Sequence, residues 1–294
     1  MELTVPAKVG DVAEMEEILR TRPAINVNWM EARYGFTALH HACVHGHDTI
    51  VAILLSHPAI DVNSKTKKGE TPFYWACLRG QTSCARLLLK DLRVKVTKPS
   101  LFGQKPLVTA ASEGRLDLIK WWIASGRELE LGGGATGNRW TDAIGAAKNF
   151  HVWEGKPLRL QKAKVAALLE TFGENPADTR DAVRLEIGWH DELAAEVFAV
   201  VIFVSDDLLA VAQGEKARSP AARFFKMASQ LPLELQMVLC YRLVGLRKSI
   251  IRRQSSEPAF KELARILHVP ISKKTPAEHP GSLRRMLQRV SSVF

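Results

Sequence analysis

Apolar residues in the first half of the chain fall at helical spacing, and the pattern itself recurs. Ile50, Ile53 and Leu54 lie on one face of a helix, and the apolar pairs Leu54-Leu55, Leu88-Leu89 and Trp122-Ile123 are spaced by 34 residues. The same interval separates Gly35, Gly69 and Gly103, then Ala42, Ala76 and Ala110, then Gly46, Gly80 and Gly114. A period kept in so many registers sets the architecture: like units stacked in a row, each burying its apolar face against its neighbours.

Each unit has the same internal grammar. Gly35-Phe36-Thr37-Ala38-Leu39-His40 and Gly69-Glu70-Thr71-Pro72-Phe73-Tyr74 open two of them. Thr37 and Thr71 stand where a side-chain oxygen caps free amides at a helix start, and Pro72 and Pro106 occupy a first turn, where a missing N–H costs nothing. Small residues follow at Ala42-Cys43, Ala76-Cys77 and Ala110-Ala111, where stacked helices approach closely. Gly46, Gly80 and Gly114 then end the first helix. Second helices are predicted at Thr49 to Ser56, Ser83 to Lys90 and Leu116 to Ser125.

This grammar resembles the ankyrin repeat. The resemblance implies an all-α, ankyrin-repeat solenoid of helix-turn-helix units with β-hairpin loops over residues 5–173, followed by a helical C-terminal region. It divides the solenoid into an N-cap, from Ala7 to Asn28, three clear repeats at 35–68, 69–102 and 103–136, and a degenerate repeat at 139–173. In the last, Thr141 to Ala146 matches the first helix and Ala163 to Phe172 the second; Phe150 to Leu160 is inserted, and Arg139 replaces the expected glycine.

Beyond Gly173 the period stops. Residues 174–270 are expected to form a helical domain and 271–294 a basic tail, with long helices between Arg180 and Ala212. Leu231-Pro232-Leu233-Glu234-Leu235 resembles the start of an F-box, which would place Leu231, Pro232, Glu234 and Leu235 on a helix that docks a Skp-type adaptor of a ubiquitin ligase. The second Leu-rich helix and the Val-x-x-x-Trp segment of an F-box are absent, and any capped amphipathic helix has the same look.

With 46% hydrophobic and 24% charged residues among 294, the composition is that of a globular protein and excludes collagen, low-complexity and coiled-coil classes. The net charge of +10 is unevenly placed: the 49 residues from Leu246 to Phe294 hold 11 Lys and Arg against three acids. The basicity belongs to a tail, with no interleaved aromatics to stack bases, so nucleic-acid binding is not expected. Ser282 to Val290 reads as a basic amphipathic helix, either a docked terminus or a segment for an anionic surface or partner groove. Val197 to Val204, the longest apolar run, is far below the roughly 20 residues of a membrane helix, and the first residues lack a secretory leader. A cytoplasmic or nuclear protein with no membrane partner and four free thiols is expected.

His40-His41-Ala42-Cys43-Val44-His45-Gly46-His47 gathers four imidazoles and a thiol. The ankyrin resemblance assigns His40 to a Thr-x-Leu-His hydrogen-bond motif, His47 to the turn and Cys43, repeated as Cys77, to buried filling, so no metal is expected. The glycine-rich Leu131 to Asn138 lacks the strand and Gly-Lys-Ser/Thr of a phosphate loop. Trp189-His190-Asp191 places a base beside an acid that points elsewhere. No catalytic motif is found; the chain is read as a non-enzyme with no cofactor, the alternative being an unrecognised site in 174–294. Leu55 with Asp61-Val62-Asn63 resembles the pattern acted on by asparaginyl hydroxylases, which would make Asn63 the modified residue; hairpin-bend stabilisation explains the same residues.

The resemblance further implies docking of a partner protein on the concave face, as a scaffold or adaptor. The family's variable positions fall on Arg33, Tyr34 and Phe36, on Lys67, Lys68 and Glu70, and on Leu101, Phe102 and Gln104 in successive fingers. The inner-helix ends add His45, Leu78, Arg79 and Glu113. Arg33, Lys67, Lys68 and Arg79 favour a partner with an acidic face.

Overall fold

The hydroxyl oxygen of Thr37 accepts from the His40 amide at 3.4 Å, and that of Thr71 from the Tyr74 amide at 3.2 Å, so each threonine opens a helix where its unit begins. In the third unit Lys105 takes this position without a side-chain cap, and Pro106 alone starts the helix. These details come from a computed structural model that describes residues 2–132, 142–149, 154–205, 220–246, 251 and 253–268. Helices account for all the regular structure among the described residues, in two compact units, Met1–Val183 and Arg184–Phe294.

Unit 1 alternates inner and outer helices. The inner row is α1 (Thr4–Val9), α3 (Ala38–His45), α5 (Pro72–Arg79), α7 (Pro106–Ser112) and α9 (Ala143–Lys148). The outer row is α2 (Val12–Thr21), α4 (Asp48–Ser56), α6 (Thr82–Lys90), α8 (Leu116–Ser125) and α10 (Lys156–Glu174). Each helix packs on the next member of its own row. Ala42, Cys43, Ala76, Cys77, Ala110 and Ala111 are fully buried where inner helices meet. Between the rows lie Leu54, Leu88, Ile119 and Trp122, the last edge-on to Phe73 at 4.8 Å and donating its indole N–H to the Glu128 carbonyl.

Three ladders stitch the repeats. In the first, His47, Gln81 and Arg115, spaced by 34 residues, each reach back to a carbonyl at the end of the preceding inner helix. The acceptors are Lys8 at 3.2 Å, Val44 at 3.3 Å and Leu78 at 3.2 Å. Such carbonyls have no partner within their own helix. Each donor lies across a glycine: a Cβ on Gly80, whose φ is 70°, would come within 2.6 Å of the Arg115 side chain. Gly46 and Gly80 are thus fixed both by left-handed backbone and by the neighbouring repeat.

The second ladder joins the fingers, with Lys67 N donating to Tyr34 O at 3.0 Å and Leu101 N to Lys68 O at 2.9 Å. The fingers differ from the expected β-hairpins. Each is a tight turn with one closing rung, Thr66 N to Glu70 O and Ser100 N to Gln104 O, too short to form a strand. In the third ladder the Asn28 amide bonds Ala59 O and Asp61 N, and the Asn63 amide bonds Arg93 O and Lys95 N, all at 2.7–2.8 Å.

At the end of the stack Asp142 caps α9. Helix α10 starts at Lys156, inside the segment read as an insertion, because Lys162 is drawn inward to a buried ion pair with Glu154 at 2.7 Å and to Asn149 O at 2.9 Å. Arg139, Thr141, residues 133–138 of the glycine-rich stretch and residues 150–153 lie outside the described residues.

α11 (Pro176–Glu186) begins within unit 1, beyond the boundary expected at Gly173, since Thr179 bonds Thr171 O and Arg180 bonds Ile123 O. Gly188, at φ 69°, separates it from α12 (Trp189–Ser205). In unit 2, α12 is the axis on which α13 (Pro220–Ala228), α14 (Leu233–Leu243) and α15 (Arg253–His268) pack. Its Val197, Val200 and Val201 share a core with Phe225, Cys240, Tyr241 and Leu263. No described helix is long and apolar enough to cross a membrane. The basic tail at 271–294 lies outside the described residues.

Candidate partner-binding surface

The fingers and the inner helices present one continuous aromatic surface, centred on Phe36. Its ring stacks on His40 at 5.6 Å and meets His41 and Trp75 edge-on, each at 5.2 Å; Tyr34 lies 6.2 Å away. Arg33 lies over Tyr34 at 4.9 Å and Arg79 over Trp75 at 5.8 Å. Guanidinium groups on ring faces hold the charges at the surface while the rings stay partly open. Tyr34 is 49% exposed, and Phe36 and Trp75 are half-buried.

The support beneath is rigid. His40 is fully buried; burial pushes its imidazole down to about 4, so it stays neutral, its ring bonding the Thr37 hydroxyl and, through Nε2, the Glu70 carbonyl at 3.1 Å. His41 approaches Glu31 Oε2 at 3.3 Å. The Cys43 and Cys77 thiols lie fully buried, and desolvation raises both far above the range in which a thiolate forms. Among the described residues no cluster of His, Cys, Asp or Glu is placed to hold a metal ion.

The residues expected to bind a partner separate into groups. Arg33, Tyr34, Phe36 and Arg79 border the aromatic surface, with exposed His45 beside it. Lys68 is exposed on the next finger, but the Lys67 ammonium is taken by the Ala32 carbonyl. Glu70 does not face a partner: it is buried, and its carboxylate accepts from the Thr66 hydroxyl at 3.0 Å, so it is part of the finger's scaffold. Gln104 accepts from the Tyr74 hydroxyl at 2.9 Å, the Leu78 carbonyl belongs to the Arg115 ladder, and Glu113 lies 3.8 Å from Arg115. Leu101 and Phe102 project from the third finger, 71% and 70% exposed.

Trp75, at the heart of the surface, was not among the expected residues. It stands 34 residues after His41 and 34 before Thr109. That register carries a different residue type in each repeat, which is the signal that could have marked it. Its indole N–H is enclosed without an acceptor.

Two other expectations have a structural setting. Both ends of the Asn63 amide are engaged in the loop ladder. In the F-box-like segment Pro232 precedes the first turn of α14, Leu231 is half-buried, and Glu234 and Leu235 are exposed, with Leu233 and Leu235 open by 50% and 49%.

Residues 34–89, which hold this surface, match the family model for ankyrin repeats, a repeat found in many copies. No curated protein matches the chain.

Proposed function

We propose that this ankyrin-repeat chain is a docking protein without catalytic chemistry, acting as a scaffold or adaptor in the cytoplasm or nucleus. Ankyrin stacks serve protein–protein interaction generally, through an extended surface held by stacked helices. The single observation that carries the reading here is the Phe36–Trp75 contact. Two large rings meet edge-on at the surface and not in the core, and such half-open aromatic anchors dominate the energetics of interfaces. Arg33, Lys68 and Arg79 around them favour a partner with acidic side chains.

The test is affinity purification with mass spectrometry on the full chain and on the double variant Phe36→Ala, Trp75→Ala. Partners lost with the double variant support docking here; partners retained by it refute the assignment of this surface.

A second reading, a ubiquitin-ligase receptor, draws on the two exposed leucines at the start of α14. It requires a Skp-type adaptor to co-purify with the chain and to be lost on Leu235→Asp.

A further inference from the structure

At the edge of the aromatic surface three imidazoles follow one another along α3 and the turn after it. His41 stands edge-on to Phe36, its ring stacks on His45 at 6.4 Å, and His45 stacks on His47 at 6.0 Å. Positive charge reaches His45 from both neighbouring inner helices, through Lys8 of α1 and Arg79 of α5. Glu31 holds His41 Nε2, and Asp48, at the start of α4, accepts from the Thr49 amide at 2.7 Å. His47 spends its Nε2 on the Lys8 carbonyl. His45, Lys8 and Arg79 are left exposed on one rim.

Building on the reading of the concave face as a docking surface, we propose that this imidazole row, with Lys8 and Arg79, is the seat for carboxylates of the partner segment, and that the seat tightens on acidification. The segment would place an apolar side chain on Phe36 and Trp75 and acidic side chains beside His45. Burial and the positive neighbours hold the His45 imidazole below its ordinary value, so near neutral pH the empty seat is uncharged at that position. A carboxylate placed against it offsets those effects, raises its proton affinity and makes binding take up a proton. Lys8 and Arg79 supply the attraction at neutral pH. Each imidazole whose pKa rises by about one unit on binding contributes about a tenfold gain in affinity at low pH.

The test selects short peptides from a random display library on the full chain at about pH 5.5 and measures the recovered peptides at about pH 5.5 and 7.5, a window that spans the ordinary histidine range. The expected peptides are rich in Asp and Glu around an apolar residue, lose binding to Phe36→Ala, and bind the native chain about tenfold more tightly at the lower pH. His45→Gln, at an exposed position, is expected to keep the folded state in a thermal melt while losing the gain at the lower pH. Binding that Phe36→Ala abolishes but that does not change with pH, or a gain that survives both His45→Gln and His41→Gln, overturns the proposed seat and leaves the docking surface standing. Peptides indifferent to Phe36→Ala, or the recovery of none, overturn the docking reading itself.

Discussion

Lys162 Nζ lies 2.7 Å from Glu154 Oε1, and both side chains are almost sealed from solvent, at 2% and 3% exposure. A buried pair of this kind is costly to break from one side, because the remaining charge loses its match in a low-dielectric setting. Glu154→Ala is therefore expected to destabilise unit 1 by about 3–5 kcal/mol, read from denaturant unfolding, whereas the joint replacement Lys162→Met, Glu154→Leu is expected to recover most of the loss. A single substitution with no effect would show that the pair is not what holds the start of α10.

Gly80→Ala is expected to cost more than the ordinary glycine penalty. The left-handed φ of 70° and the Arg115 side chain across the glycine act together, so the loss is expected to exceed about 1 kcal/mol. Because the obstruction is a flexible side chain, the double variant Gly80→Ala, Arg115→Ala should relieve the clash but keep the backbone strain and forfeit the bond to Leu78 O. Thermal unfolding of the three proteins separates these contributions.

Acid should weaken unit 1 through His40. Its folded pKa, pushed down to about 4 by burial, lies below the 6.5 of the free side chain, so the unfolded chain takes up the proton first. The stabilising effect is full above about pH 6.5 and is lost as pH falls towards about 4, amounting to about 3 kcal/mol over that window. Stability measured against pH should be flatter in this range for His40→Gln than for the native chain.

Asn63→Ala removes both bonds of one loop rung and leaves Arg93 O and Lys95 N without that partner. A loss of about 1–3 kcal/mol is expected. The same engagement bears on hydroxylation: the side chain must leave the ladder to be modified. Intact-mass measurement after incubation with an asparaginyl hydroxylase should therefore show an increment on a destabilised variant such as Gly80→Ala before it shows one on the native chain.

The stack was legible in the sequence because its constraints are steric and repeat without change. Ala42, Ala76 and Ala110 must be small where helices touch, and Gly46 and Gly80 must leave room for the side chain of the next repeat. The binding surface was legible only in part, for the opposite reason: its positions differ between repeats, so no period marks them. The expected set omits Trp75 and includes Glu70, a variable position of the family, although a carboxylate there is close enough to close on Thr66 within its own finger. The early start of α10 escaped because a buried lysine, Lys162, has no apolar signature. In unit 2 the apolar run from Val197 to Val204 lies where long helices are expected, but non-repeating helices give no register from which to pair α12 with α14 and α15.

The ladder of His47, Gln81 and Arg115 has a direction. Every donor belongs to the later repeat and every acceptor to the earlier one, and the finger bonds from Lys67 and Leu101 run the same way. A ribosome delivers the chain in that order, and segments that settle as they emerge avoid long exposure of unpaired surface. Each repeat is thus finished by the one synthesised after it, and the stack can close behind the growing chain like a zip fastener drawn from its N-terminal end.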